Sequence, residues 1–250
     1  MQTGVYGLGR FGSFWASMLA RHPFKDARVV AYSRSSHNLP FGVNKVSEDE
    51  VLQSDILFFC VAISSFEDVL ESVSGRIKKG CIVMDTCSVK TYPAAWMEKH
   101  LSGQGLSLIA THPMFGPDSA KNGIRGLPVV MCRLEECDDR YDLVKDYFTS
   151  IGLQVLEMTP RHHDREAAYS QGVTHFVGRT LHELGMCPTP IATQGYRSLM
   201  TIVEQTCNDP ITLFYDLQRF NPYAKEMRLS LQVAIEKVLN TLAEQEEEIR

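Results

Sequence analysis

The first 160 residues alternate short, strongly apolar runs with amphipathic stretches. Runs rich in β-branched and aromatic residues predict seven strands: Thr3–Tyr6, Arg28–Tyr32, Ile56–Val61, Cys81–Met84, Leu106–Thr111, Val129–Cys132 and Gln154–Met158. Between the first two, Phe11, Phe14, Trp15, Met18 and Leu19 recur at helical spacing and predict a helix with one buried face. Strands that alternate with helices imply βαβ units and a parallel sheet, hence an α/β fold of Rossmann type.

The pattern changes near Thr159-Pro160-Arg161-His162-His163-Asp164. Strand signals stop there, and Asp164 is the expected N-cap of a helix. Helices are predicted over Arg165–Leu184, Ile191–Cys207 and Ile211–Phe220, with a last one from beyond Pro222 into the acidic run Glu244 to Glu248. The chain therefore reads as an α/β domain over 1–160 and an all-helical domain over 161–250. In the last helix Met227, Leu231, Ala234, Val238 and Leu242 form a long apolar stripe. So small a helical region would bury more of that stripe by pairing with a second copy. A homodimer is expected, with packing inside the chain as the alternative.

Composition narrows the class. At 250 residues, 44% apolar and 22% charged, the chain reads as an ordinary soluble globular protein. A formal net charge of -5 gives no reason to expect a nucleic-acid partner. The longest apolar run, Ile56 to Ile63, is too short to cross a bilayer. With a strand beginning at Thr3, no targeting segment is expected ahead of the fold. Seven scattered cysteines without a Cys-x-x-Cys pair suggest reduced thiols and a cytoplasmic protein.

The candidate chemistry sits where strands end. Gly7-Leu8-Gly9-Arg10-Phe11-Gly12 has the spacing at which a chain turns tightly, approaches a pyrophosphate and packs a helix onto a strand. The helix N-terminus would then aim backbone N–H groups at the phosphates, which makes 1–160 a dinucleotide-binding domain. Glycines at such a turn can also be purely structural. After the second strand an NAD-preferring site would carry an acid for the ribose hydroxyls. This chain reads Ser33-Arg34-Ser35, a guanidinium flanked by hydroxyls that suits the 2′-phosphate of NADP, unless Arg34 is only a solvated surface residue. Val61, ending the third strand, is a further cofactor-contact candidate. Ser88 follows the fourth strand and His112 ends the fifth, which supplies a base and a polar partner of the kind a nicotinamide enzyme needs. The adjacent His162 and His163 lack a third ligand at metal spacing and fit a role in starting the helix better than zinc.

These motifs, together with Asp85–Lys90, His112-Pro113-Met114-Phe115-Gly116-Pro117, His163-Asp164 and Ser170-Gln171-Gly172-Val173-Thr174-His175, resemble the prephenate/arogenate dehydrogenase family over nearly the whole length. The Met-Phe-Gly-Pro form is most similar to the branch found in plants. The resemblance implies NADP-dependent oxidative decarboxylation of arogenate to tyrosine, with prephenate dehydrogenase as the alternative. His112 would be the base on the ring hydroxyl, and Ser88 would bond that hydroxyl and steady His112. His175 and Thr174 would contact the substrate from the helical domain, although His175 could simply be packed there. Asp209, in Glu204-Gln205-Thr206-Cys207-Asn208-Asp209, falls where arogenate-type members carry an acid. A carboxylate there would attract the ammonium of arogenate and repel the side-chain carboxylate of prephenate; the alternative is a cap for the helix after Pro210. One departure concerns Tyr223, where many microbial members have an arginine for a substrate carboxylate, which leaves Arg179 and Arg219 as candidates. Another two-domain NADP reductase, or a non-catalytic NADP sensor, would share the fold; Ser88 and His112 argue against the sensor.

Overall fold

The computed structural model describes residues 1–35, 38–135 and 137–248, and the chain divides into two compact units, Met1–His163 and Asp164–Arg250. The side chains of Glu247 and Glu248, at the end of the acidic run, lie outside what is described.

In the first unit β1 (Gln2–Tyr6) turns into α1 (Arg10–Arg21), and a 3₁₀ turn leads to β2 (Arg28–Tyr32) and β3 (Val43–Lys45). Then come α2 (Glu48–Leu52), β4 (Ile56–Phe59), α3 (Ile63–Val73), β5 (Ile82–Asp85), α4 (Thr91–Leu101), β6 (Ser107–Pro113), β7 (Pro128–Arg133), α5 (Arg140–Ser150) and β8 (Gln154–Glu157). The strands form one sheet in the order β3-β2-β1-β4-β5-β6-β7-β8. β1, β4, β5 and β6 are buried along their whole length, as apolar runs without alternation demand when both sheet faces are covered. Trp15 of α1, fully buried, packs its ring 5.5 Å from Phe58 and 6.1 Å from Phe148, which ties α1 and α5 to the sheet. Strand order reverses between β1 and β4, so their carboxyl ends form the crevice where open α/β sheets bind ligands.

Two features depart from the expected parallel sheet. β6 and β7 are antiparallel, with His112 opposite Val130, because turns rather than a crossover helix connect them. β3 was not foreseen: it is a three-residue edge strand in which only Val43 is buried, too short to show periodicity.

The second unit is helical. α6 (Pro160–Ala167), in which the division between the units falls, leads through one π-helical turn, Ala168–Gly172, into α7 (Val173–Glu183). α8 (Gln194–Asn208), α9 (Ile211–Phe220) and α10 (Ala224–Glu248) follow. Asp164 is not the N-cap. The backbone N–H of His162 donates to Thr159 Oγ1 at 3.2 Å, so the helix starts at Pro160, whose missing N–H costs nothing in the first turn. Asp164 is instead buried inside the helix, and its carbonyl accepts from Asn221 Nδ2 at 2.8 Å. Along α10 Met227 is buried and Leu231 half-buried, whereas Ala234, Val238 and Leu242 are exposed, so packing within the chain covers only the start of the stripe.

Candidate functional site

The glycine loop meets the geometric demands of a phosphate cradle. Gly7 has φ 106°, and a Cβ there would stand 2.4 Å from the Cys60 carbonyl oxygen and 3.1 Å from Val61 Cγ1. Only glycine lets β1 turn so close to the end of β4. A Cβ on Gly12 would stand 2.1 Å from the Gly7 carbonyl oxygen, so the third glycine lets α1 sit against the turn. Gly9 differs: it is the N-cap of α1, and a Cβ there meets nothing within 4 Å. Open space before a helix N-terminus is what an approaching pyrophosphate needs, so the loop fits the phosphates of a dinucleotide. Leu8 is buried and Phe11 stacks on Trp15, so both anchor the loop. Arg10 pairs with Asp118 at 2.7 Å, which ties the loop to the segment after Gly116-Pro117. Ser33, Arg34 and Ser35 follow β2, with Arg34 and Ser35 exposed and Ser33 half-buried.

A buried polar centre lies at the ends of β5 and β6. Asp85 accepts from the backbone N–H of Cys87 at 3.0 Å and of Thr111 at 2.9 Å. Lys90, wholly buried, donates to Asp85 and to the Thr111 carbonyl oxygen at 2.5 Å. Thr111 Oγ1 donates back to the Asp85 carbonyl. These bonds bracket both candidates: Ser88 lies inside the loop closed by Asp85 and Lys90, and His112 follows Thr111. Such a pair is held by its satisfied hydrogen bonds, since desolvating two charges costs several kcal/mol per ion.

His112 is 2% exposed, and its Nδ1 lies 2.8 Å from Nε2 of His163, itself 2% exposed. Burial, then the His163 ring and the Lys90 ammonium, hold the His112 imidazole well below the ordinary histidine range, so it is neutral near pH 7. The partner of the His112 ring is thus His163, where Ser88 was expected. Among the described residues the half-buried Ser88 hydroxyl makes no hydrogen bond. The sequence carried a weak signal for His163: Pro160 at the first helical position sets its place in the first turn. Its pairing with His112 depends on how α6 meets β6, which no local pattern encodes.

In the helical unit α7 and α8 touch at Gly178, where a Cβ would stand 2.3 Å from Thr206 Oγ1. That approach brings Arg179 to the C-terminus of α8, where one guanidinium nitrogen donates to the carbonyls of Thr206 at 2.9 Å and Asp209 at 2.8 Å. Cationic capping of orphan carbonyls is favourable there. Asp209 is the C-cap residue of α8, and Pro210, the N-cap residue of α9, makes no side-chain cap hydrogen bond. Its carboxylate acts on His175, one turn before Arg179: burial lowers the His175 pKa, Asp209 opposes that, and Arg179 adds to it. His175, Arg179 and Asp209 are therefore neighbours. Thr174 donates its hydroxyl to the Ser170 carbonyl at 3.0 Å. Around the site of the missing arginine, Asn221 accepts from the Tyr223 N–H at 2.9 Å and the Arg165 guanidinium lies over the Tyr223 ring at 5.6 Å, a cation the sequence did not single out.

The model of the prephenate dehydrogenase nucleotide-binding domain matches residues 28–157, and that of the TYRAAT1-like C-terminal domain matches 180–250. Arogenate dehydrogenases 1 and 2 of Arabidopsis thaliana, both named as chloroplastic, are 35% and 34% identical over 97% of this chain. The chain spans 39% of the first and 70% of the second. Two solved structures share its fold at 20% identity. Prephenate dehydrogenase from A. aeolicus, in complex with hydroxyphenyl propionate and NAD+, has a TM-score of 0.73 over 98% of this chain and 90% of that one. Synechocystis arogenate dehydrogenase has a TM-score of 0.71 over 98% and 93%. Among the described residues no helix is long and apolar enough to cross a membrane.

Proposed function

This chain belongs to the prephenate/arogenate dehydrogenase family, and on that premise we propose that it oxidatively decarboxylates arogenate to tyrosine with NADP. The observation that carries the reading is the state of His112: buried, neutral, engaged at Nδ1 and left with Nε2 as its basic nitrogen, at the end of a strand beside the Ser88 loop. His112 takes the proton of the substrate ring hydroxyl at Nε2, and Ser88 hydrogen-bonds the same hydroxyl. A nicotinamide dinucleotide held by the glycine loop would supply the acceptor for the hydride of that ring carbon. The ring carboxylate leaves as carbon dioxide, and the electrons left behind complete the aromatic ring.

The glycine loop would hold the pyrophosphate, with Leu8, Arg10, Phe11 and Val61 assigned to the same cofactor site. Ser33, Arg34 and Ser35 take the 2′-phosphate, which favours NADP. His175, Thr174 and Asp209 are assigned to the substrate, the charge of Asp209 matching the ammonium of arogenate. Arg179 is engaged with backbone carbonyls, so Arg219 and Arg165 are the better candidates for the ring carboxylate. We assign residues 1–160 to dinucleotide binding and 161–250 to substrate binding and dimerisation. Exposed Val233, Val238 and Leu242 on α10 support a homodimer. The seven free thiols suit a reducing compartment, the cytoplasm in this reading.

The test is the initial rate of reduced dinucleotide formation by the purified protein, with arogenate and prephenate each paired with NADP and NAD. Arogenate with NADP should be fastest. Faster turnover of prephenate would move the assignment to prephenate dehydrogenase, and no turnover of either substrate would overturn the proposed reaction.

A further inference from the structure

We infer that His163 is a positioning residue that fixes the tautomer of His112, leaving Nε2 of His112 bare to accept the substrate proton. The inference rests on the reading of His112 as the base and adds a residue to which no role has been given.

The argument is a count of protons. His112 Nδ1 and His163 Nε2 lie 2.8 Å apart, both rings 2% exposed, with centroids 5.0 Å apart at 69°. One proton occupies that bridge: none would set two lone pairs against each other, and two would set N–H against N–H. The neutral pair carries two protons, so after the bridge one remains for the two outer nitrogens, Nε2 of His112 and Nδ1 of His163. The pair is competent only when that outer proton sits on His163. His112 then donates its Nδ1–H to His163, and its Nε2 is free. When the substrate proton arrives at Nε2, the bridge is undisturbed, because Nδ1–H of His112 remains the donor.

A pair that picks up one proton from solvent has three for four nitrogens. With one in the bridge, both outer nitrogens are occupied, and no base remains. Activity should therefore fall with the first proton the pair takes up, on whichever ring it is drawn. The charged and titratable groups acting on His112 are His163 and Lys90, and Lys90 is itself bonded to Asp85. Burial, then the His163 ring and the Lys90 ammonium, disfavour proton uptake by His112, so the competent state persists to lower pH than an isolated imidazole would allow. In hydrolytic triads a buried carboxylate holds the base in its tautomer; here a second imidazole can do the same.

The test uses the full chain. Nitrogen-15 spectra of the free enzyme distinguish protonated from bare ring nitrogens, with His112→Asn and His163→Asn supplying the assignments. At neutral pH His112 should carry its proton on Nδ1. His163→Leu removes the acceptor, so turnover with NADP should fall by roughly 10- to 1000-fold, while NADP binding shows that the fold survives. His163→Asn offers its side-chain oxygen to the Nδ1–H and should recover most of what Leu loses. It also removes the second titrating ring, so the acid limb of kcat/KM should shift from its wild-type position. A residue that only packs would leave that limb where it was.

Nδ1 of His112 found bare in the wild-type spectrum, or an acid limb unmoved in His163→Asn, would overturn the inference. Failure of the underlying reading looks different: His112→Asn would keep its turnover while the wild-type nitrogen pattern stayed as described.

Discussion

The centre at the ends of β5 and β6 and the helical stretch that carries His175 treat their buried polar groups in opposite ways. At the ends of β5 and β6 the fully buried Lys90 and His112 are met from within the chain: Lys90 by Asp85 and Thr111, and His112 by His163. Along the π-helical turn and α7, three buried polar atoms at four-residue intervals, Gln171 Oε1, His175 Nδ1 and Arg179 Nε, have no hydrogen-bond partner among the described residues. A buried polar atom without a partner costs about 1–3 kcal/mol. A fold tolerates such a cost where a ligand will supply the bond. In the proposed reaction the first region would act as catalytic machinery whose buried bonds are already made, and the second as a recognition surface completed by what it binds. The π-helical turn Ala168–Gly172 just before His175 belongs to the same contrast, since such turns interrupt regular hydrogen bonding and are frequent at functional sites.

The strongest way to break the contrast is to remove the base. His112→Asn should lower turnover by about 10²–10⁴-fold with NADP binding retained, because one general base contributes about that much. The measurement is kcat beside dinucleotide binding in the same preparation. Near-normal turnover would take His112 out of the mechanism and leave the buried centre as structure alone.

Next comes the ion pair beneath it. Lys90→Met keeps the side-chain length but leaves Asp85 uncompensated, which should destabilise the first unit by about 3–5 kcal/mol. Adding Asp85→Asn should restore part of that stability, since the unpaired charge is the source of the loss. Denaturant unfolding of the single and double variants reads both effects. A Lys90→Met protein as stable as the wild type would mean that water reaches Asp85 and that the centre is less closed than its burial implies.

On the recognition side, Asp209→Asn removes the charge while keeping shape. A charged hydrogen bond in a desolvated site contributes roughly 1.5–3 kcal/mol, about ten- to a hundred-fold in efficiency. Arogenate should lose that factor, and prephenate should gain as the repulsion of its side-chain carboxylate disappears. α9 should be as stable as before, because asparagine caps a helix about as well as aspartate. Competition kinetics with both substrates decide it; an unchanged preference would move the choice of substrate to another residue.

What could be read from the sequence follows the same division. The glycine loop, the strand ends and His112 are legible because each depends on neighbours a few residues away. The glycines answer to a turn, the apolar runs to burial on both faces, and His112 to the end of such a run. The His112–His163 bond, the antiparallel β7 and the C-terminal capping by Arg179 each join segments whose meeting is set by tertiary packing. Asp164 shows why a local rule failed. As an N-cap it competed with Thr159-Pro160, and the proline settled the start because its fixed φ suits the first helical turn. Buried polar residues at a helix start looked like caps when their partners were a strand and a distant asparagine.

The smallest expected effect tests the outer edge of the first unit, where the contrast between a finished centre and an open surface recurs within one sheet. Arg34 is exposed after β2, and its charge acts on the Tyr6 hydroxyl, which burial and the 2.5 Å bond to Glu48 push well above the usual tyrosine range. Unlike Lys90, Arg34 is not sealed from solvent, so water screens whatever it binds. A 2′-phosphate paired with it should gain only about 1 kcal/mol, roughly fivefold in Michaelis constant. Arg34→Ala should therefore raise the Michaelis constant for NADP by about that factor and leave NAD nearly unchanged, because only the phosphate loses its partner. Salt sharpens the reading: the NADP advantage should shrink as ionic strength rises in the wild type and be insensitive to it in the variant. Equal losses for both dinucleotides would mean that Arg34 supports the loop itself. Equal use of both by the wild type would mean that the missing acid after β2, not the arginine present, is all that the sequence says about the cofactor.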